Sequence, residues 1–440
     1  MGDLKKEMFR LALPIAFQQF MIAVVGASDA IMLGKLSQDA MSAVSLATQI
    51  TFVFNLFMAA FVIGENMFIA QYHGKKDFEN VSRIFFLVLK ISIFTAVLFW
   101  IATFCFSKEI MSFLTNDTEL ISLGSVYLKT IGISYFLSAA AQVCMTLMKN
   151  CEAVNMATAI NSVTVILNIC LNAVLIFGLF GMPKLEIQGA AIATILATAV
   201  QMIWSLFYVM YKLKKIKLHL IHRSASLRSN FFQKTMPVLL NELAWGGGFT
   251  MYSVILGHLG TDAVAANGIA NISKNLIVCF CLGLANAGSI IVGNFLGTDS
   301  FEEAQKAGRV LVRFSIVCGI LSGGILLLLS PWIIRWTGLS MQSQQYLQIM
   351  LLISAYYLVG KSINSMTIGG IFPAGGDSKF GLICDTVTLW CITIPLGYLC
   401  AFVWKLPILT VYFVLNLDEI IKLPVVWKHY RKFAWLKNIT

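Results

Sequence analysis

A few charged and amide side chains stand inside long apolar runs of this 440-residue chain. Asp29 lies late in the first run, with Gln18 three helical turns earlier on the same face. Asn161, Asn168 and Asn172 are spaced by seven and four, so one helical face carries all three. Glu65 and Asn66 lie past the middle of the second run. Glu242 shares a face with Trp245 and Phe249, Asp385 precedes Trp390, Lys361 stands mid-run, and Asp418 and Glu419 lie near Lys422. An ionised side chain at the middle of a bilayer costs at least ~2.5–3.5 kcal/mol, so each of these positions requires a partner or a use.

The chemistry such groups offer is narrow. A carboxylate in an apolar cavity exchanges protons or ligates sodium. A carboxylate beside indole attracts an organic cation through charge and cation–π attraction. A bland reading stands beside each. Asp29 could be solvated near the outer interface, and the asparagines could be hydrogen-bond glue between helices. Glu242 and Asp385 could be neutralised by Lys361 or Lys274, Asp418 or Glu419 by Lys422, and Glu65 with Asn66 suits a gate or a helix contact. The candidates for cation coupling and substrate binding are Asp29, Asn168, Asn172, Glu242, Asp385 and Trp245, with Na+ near Asp29, Glu242 and Asp385 as one form of the coupling ion.

The elements that position these residues follow from composition. Apolar residues make up 58% and charged residues 12%, where a soluble domain has about a quarter charged; the excess must face lipid. The net charge of +11 does not signal nucleic acid, since no soluble basic module accompanies it. The ten cysteines are scattered, mostly within apolar runs and without CxxC spacing, which reads as small buried hydrophobes. The first run reads as a retained helix and not as a cleaved leader.

A bilayer core of about 30 Å takes roughly 20 helical residues. Such runs occur at 8–33, 44–72, 82–106, 122–148, 154–181, 187–212, 232–257, 265–295, 304–330, 345–373, 379–404 and 406–427, which predicts an all-α membrane protein of about twelve transmembrane helices. Lys and Arg concentrate in alternate connections: Lys5 and Lys6, Lys75 and Lys76, the stretch from Lys212 to Lys234, Lys306 and Arg309, and Lys428 to Lys437. That bias places both termini and the central linker in the cytoplasm of a multi-pass cell-membrane protein.

The chain also repeats itself. At an offset of 223 residues, Phe9 and Pro14 fall on Phe232 and Pro237; Leu33, Gly34 and Leu36 on Leu256, Gly257 and Leu259; and Asp39 on Asp262. Gly74, Phe78 and Glu79 fall on Gly297, Phe301 and Glu302. The copies are separated by an even number of spans, so they are parallel repeats of the kind related by an axis along the membrane normal. The expected organisation is a six-helix lobe at 1-212, a basic linker at 213-230 and a second six-helix lobe with a basic tail at 231-440. The acids inside the apolar runs do not repeat: Asp29 falls on Tyr252, and Glu242 on Gln19.

No nucleophile–base constellation, HExxH or P-loop is present, and the loops are too short for an ATPase domain. The chain therefore reads as a transporter without cofactor and not as an enzyme, energised by an ion gradient or by a separate protein.

The run Asp29-Ala-Ile-Met-Leu-Gly-Lys-Leu with Ala40, Ala43 and Ala47 resembles the first-helix signature of the multidrug and toxic compound extrusion (MATE) transporters. Leu13-Pro14-Ile15, Ala70-Gln71 with Gly74, Gly189-Ala190-Ala191-Ile192-Ala193-Thr194 and Gly375-Gly376-Asp377 extend the resemblance over essentially the whole chain. The ending Trp435-Leu436-Lys437-Asn438-Ile439-Thr440 is similar to that of Gram-positive bacterial members. The resemblance implies two MATE-like six-helix bundles and a monomer that exports small organic cations against Na+ or H+ by alternating access. It maps the family's first-helix acid onto Asp29 and its fifth-helix polar pair onto Asn168 and Asn172; some members carry an acid where Asn172 stands. The family's seventh-helix acid falls about one turn from Glu242. Phe372-Pro373-Ala374 stands where Arg commonly precedes Gly-Gly-Asp. The alternative is a lipid-linked oligosaccharide flippase of the related superfamily, whose cationic cavity only Lys361 and Lys274 could supply here.

Overall fold

The computed structural model describes residues 2–213, 225–337 and 339–440; most of the basic linker expected at 213-230 lies outside the described residues. Those residues form helices joined by short turns: α1 (Gly2–Leu36), α2 (Gln38–Gly74), α3 (Phe78–Cys105), α4 (Thr118–Asn150), α5 (Val154–Phe177), α6 (Glu186–Lys212), α7 (Ala225–Gly257), α8 (Thr261–Gly297), α9 (Phe301–Trp336), α10 (Met341–Ala374) and α11 (Ser378–Val403). The helix starts are capped as their sequences dictate. The Ser37 hydroxyl accepts from the Ala40 N–H at 2.9 Å, and Asp77 and Asp117 accept from the first turns of α3 and α4.

Ten helices among the described residues are long and apolar enough to cross a membrane, namely α1–α6 and α8–α11. The seventh expected span, 232–257, is the continuous helix α7, but Lys234, Asn241, Glu242 and three consecutive glycines dilute its apolar character. The twelfth, 406–427, is not one helix. It is α12 (Ile408–Leu415), α13 (Asp418–Ile421) and α14 (Leu423–Arg431), interrupted at Asn416–Leu417 and at Lys422. The Asn416 side chain donates to the Tyr412 carbonyl at 2.8 Å, and Pro424 opens α14 where its missing N–H costs nothing.

The chain forms two compact units, Met21–Ser229 and Met1–Phe20 with Asn230–Thr440. This division falls inside α1, twenty residues into the chain, and not in the linker alone. The first half of α1 packs within the second unit, where the Phe9 ring meets Phe314 edge-on at 5.6 Å. A Cβ on Gly283 of α8 would lie 2.5 Å from the Ala16 backbone, so the absence of a side chain there lets the two helices touch.

Within Met21–Ser229, α4 is the central helix, packed on α2, α3 and α6, and α6 also packs on α5. Within the other unit α8, α9 and α10 pack mutually. Three single-turn π-helical segments, Ser365–Ile371, Val387–Thr393 and Leu399–Val403, interrupt α10 and α11. Such bulges recur at functional sites. The burial pattern is that of a lipid-solvated protein: Phe94, Ile203 and Leu328 are exposed, while Asn161, Asn172, Glu65 and Glu419 are buried. Greasy residues face outward because lipid is the solvent, and polar ones face inward to find partners.

The close approach of α6 to α5 rests on Gly189, where an added Cβ would come 2.6 Å from the Leu175 carbonyl oxygen. Backbone cannot give way as a flexible side chain can. Gly189→Ala is therefore expected to destabilise the protein by about 1–3 kcal/mol, read as a lowered Tm in detergent; an unchanged Tm would mean that α6 is not held against α5 in this way.

Candidate functional site

Two separate polar networks occupy the interiors of the two units. In Met21–Ser229, α1 supplies Asp29, α5 supplies Asn168 and Asn172, and α6 supplies Thr194. The Asn172 amide donates to Asp29 Oδ1 at 2.6 Å and to Asn168 Oδ1 at 3.1 Å. The Asn168 amide donates to the Thr194 hydroxyl at 3.4 Å, which donates to the Ala190 carbonyl at 3.0 Å. Three helices are thus linked by one hydrogen-bond chain in which Asn172 donates both ways, to the Asp29 carboxylate and, through Asn168, toward Thr194. Both N–H groups of Asn172 are used, while its Oδ1 is buried and has no partner among the described residues. A buried acceptor left unmatched costs about 1–3 kcal/mol, so a donor or a cation at this oxygen would be stabilising.

Asp29, Asn168 and Asn172 are therefore brought together. Asn161, on the same face of α5, belongs elsewhere: its Oδ1 accepts from Gln201 Nε2 of α6 at 3.1 Å. Glu65 is also fully buried, and neither of its carboxylate oxygens has a hydrogen-bond partner among the described residues; Lys149 is its charged neighbour.

The second unit holds a denser cluster built from α7, α8, α10, α11 and α13. Lys422 Nζ lies 2.7 Å from Asp385 and 3.1 Å from Glu419, and Asn241 Nδ2 donates to Asp385 at 3.1 Å. Lys361 Nζ lies 3.1 Å from Glu419 and 5.2 Å from the centre of the Trp245 ring. The Asn364 amide donates at 2.7 Å to both the side chain and the backbone carbonyl of Glu419. Lys274 reaches Asn416 at 3.4 Å and stands 4.5 Å over the Tyr357 ring. Glu242 makes no direct hydrogen bond or ion pair among the described residues; Lys361 and Asp385 are its charged neighbours.

The pairing differs from the one the spacing suggests. Lys361 bonds Glu419 rather than Glu242 or Asp385, and Asp385 takes Lys422. Both partners, Glu419 and Lys422, come from the broken twelfth segment. A Cβ on Gly360 would come 2.9 Å from the Glu419 carbonyl oxygen, so this glycine admits the α13 backbone beside Lys361. Asn241, Asn364, Asn416 and Thr194 are site residues that spacing did not single out. Asn241 was marked only by adjoining Glu242, and Asn364 only by standing three residues after Lys361.

Inward-facing polar chains inside helical units with apolar outer faces, encoded by a parallel repeat, define a polytopic membrane transporter. The MatE family model matches residues 14–174 and 237–399, most of the chain, in two copies whose starts are 223 residues apart (237 − 14). The chain belongs to the MatE family, with its all-helical two-lobe repeat architecture.

Among similar proteins, the "Probable multidrug resistance protein NorM" of Rhizobium meliloti is 24% identical, over 90% of this chain and 86% of that one. The protein of the same name from Thermotoga maritima is 24% identical over 99% and 94%. Of solved structures, the Vibrio cholerae MATE transporter VcmN superposes with a TM-score of 0.91 at 18% identity, covering 100% of this chain and 98% of that one. A MOP superfamily transporter from Pyrococcus furiosus, whose binding pocket is described as of reverse polarity, gives 0.90 at 18% identity over 99% and 97%. At these identities the structural likeness concerns the fold.

Removing one member of a buried charge pair strands the other. Lys422→Met leaves Asp385 without its cation and should cost about 3–5 kcal/mol, measured as loss of thermal stability in detergent. The double variant Asp385→Asn/Lys422→Met should recover part of that loss; equal instability of the double and single variants would refute the pairing.

Proposed function

We propose that the chain is a secondary active antiporter that exports organic cations, drugs among them, in exchange for Na+ or H+ by alternating access. One observation carries the reading: Asp29 stands at one end of an amide–hydroxyl chain that ties α1, α5 and α6 together. The multidrug names of the relatives support the substrate class.

The chemistry follows from what a carboxyl group can donate. An ionised Asp29 only accepts, and so it holds the N–H of Asn172. A protonated Asp29 carries a donor, which the orphan Oδ1 of Asn172 can take once the amide turns over. Turning that amide reverses donor and acceptor along Asn168 and Thr194, so one proton alters how three helices are held. Sodium, as transported ion, would instead gather the oxygens of Asp29, Asn168 and Asn172, whose amides must then turn their carbonyls inward. Either ion competes for Asp29 with a cationic substrate, and that competition is what exchange requires. In the other unit Glu242, one turn from Trp245, has no lysine at ion-pair distance among the described residues, whereas Asp385 is engaged by Lys422. The Lys and Arg bias supports cytoplasmic termini in the cell membrane, and the protein would act as a monomer with no cofactor.

Asp29→Asn is expected to abolish ethidium efflux from cells while the protein still reaches the membrane in normal amount; undiminished efflux would sink the assignment. In proteoliposomes, efflux driven by a sodium gradient alone or by a pH gradient alone identifies the coupling ion. Labelled-lipid scrambling with no ethidium movement under either gradient would favour the flippase reading.

A further inference from the structure

The Lys361 ammonium makes the contacts that an organic cation would make. It lies 3.1 Å from a Glu419 carboxylate oxygen and 5.2 Å from the centre of the Trp245 ring, which stacks in turn on Phe249 at 5.9 Å. Carboxylate beneath and aromatic face beside is the recognition pattern for alkylammonium groups. The layering matters. The Lys361 side chain keeps 19% of its surface accessible and Trp245 is half-buried, whereas Glu419 has no exposed surface. A ligand approaching this acid therefore meets Lys361 first.

Glu419 also has more partners than neutrality requires. Lys422 lies 3.1 Å from it, and the Asn364 amide donates to it at 2.7 Å. Asp385, the next acid, is bonded by Lys422 and Asn241. Of the two lysines paired with Glu419, Lys361 is thus the one whose removal leaves its partner acid with a lysine and an amide still in place, whereas removing Lys422 would leave Asp385 with an amide alone. Its residue neighbour Gly360 is what brings the Glu419 backbone within reach, so the placement of the ammonium is built into the helix contact.

We propose that Lys361 is a tethered cation that occupies an organic-cation site formed by Glu419 and the Trp245 face, closing that site to permanently charged ligands. The inference rests on the reading of the chain as an exporter of organic cations and narrows it. Lipophilic cations that cannot displace an ammonium would be handled through Asp29, while the Trp245 face of the second unit would accept a ligand only when Lys361 swings away. Glu419 is here a binding residue in waiting, and Lys361 a specificity-determining one.

The test is binding, which needs no transport. Purified full-length protein is titrated with tetraphenylphosphonium by calorimetry. Lys361→Met should bind it about tenfold more tightly than the unsubstituted protein, the size expected when one desolvated cation–π contact becomes available. Adding Trp245→Ala should cancel the gain. Lys361→Cys treated with 2-aminoethyl methanethiosulfonate, which restores an ammonium, should return to the weaker affinity. The same variant treated with the methyl reagent should stay tight, with the identically treated unsubstituted protein correcting for its ten native cysteines. Equal or weaker binding by Lys361→Met, or a gain that survives Trp245→Ala or the aminoethyl group, overturns the proposal. If Lys361→Met does not give monodisperse protein, the two modified forms of Lys361→Cys decide it. Loss of efflux in Asp29→Asn bears on the export reading alone, and these affinities do not depend on it.

Discussion

One constraint governs the buried polar groups of this protein: a charge or an amide held away from water is costly unless it finds a partner within the protein. Lipid offers none, so the outer faces of the helices are apolar and their interiors carry amide–carboxylate and lysine–carboxylate networks. The two units meet the constraint differently. In Met21–Ser229 the Asp29 carboxylate is met by a neutral donor, the Asn172 amide. In the other unit Asp385, Glu419, Lys361 and Lys422 satisfy one another, so the same chemical need is met by internal cations.

That contrast runs across a scaffold repeated at 223 residues. The repeat preserves Pro14 and Pro237, Gly74 and Gly297, and the turns that follow, because these set helix ends and close approaches. It preserves the helix-start acids Asp39 and Asp262, but not the acids inside the apolar runs: Asp29 falls on Tyr252 and Glu242 on Gln19. The irregularities are concentrated in the second copy. Three π-helical turns interrupt α10 and α11, and the last span breaks into α12, α13 and α14. A break in a helix frees backbone groups and re-aims side chains, and here it turns Glu419 and Lys422 into the cluster. Glu419 and Lys422 stand three apart across this break and still pair with each other at 3.1 Å, while one reaches Lys361 and the other Asp385.

The carboxylates differ in what they have left to offer. Among the described residues Asp29 is bonded only by an amide, Glu242 by nothing directly, and Asp385 and Glu419 by ammonium groups at hydrogen-bonding distance. A transported cation gains most at the acids that are not already neutralised. This ranking separates ion-coupling candidates from residues that hold the fold, although all four look alike as acids in apolar runs.

Sequence by itself determined the membrane character, most of the helical spans, the parallel repeat and the short roster of polar residues that lipid would not tolerate. Those follow from local properties: apolar run length, the 3.6-residue period and the rarity of charge. It also marked Asn168 and Asn172 as sharing a face, since their spacing of four is one helical turn. Only the tertiary structure decided that Asn172 bonds Asp29 while Asn161 turns to Gln201, and that Lys361 takes Glu419 instead of Asp385. The physical reason is that spacing along one helix sets a direction but not a neighbour. The neighbour depends on where glycines such as Gly189 and Gly360 let backbones touch, and on where the last span breaks.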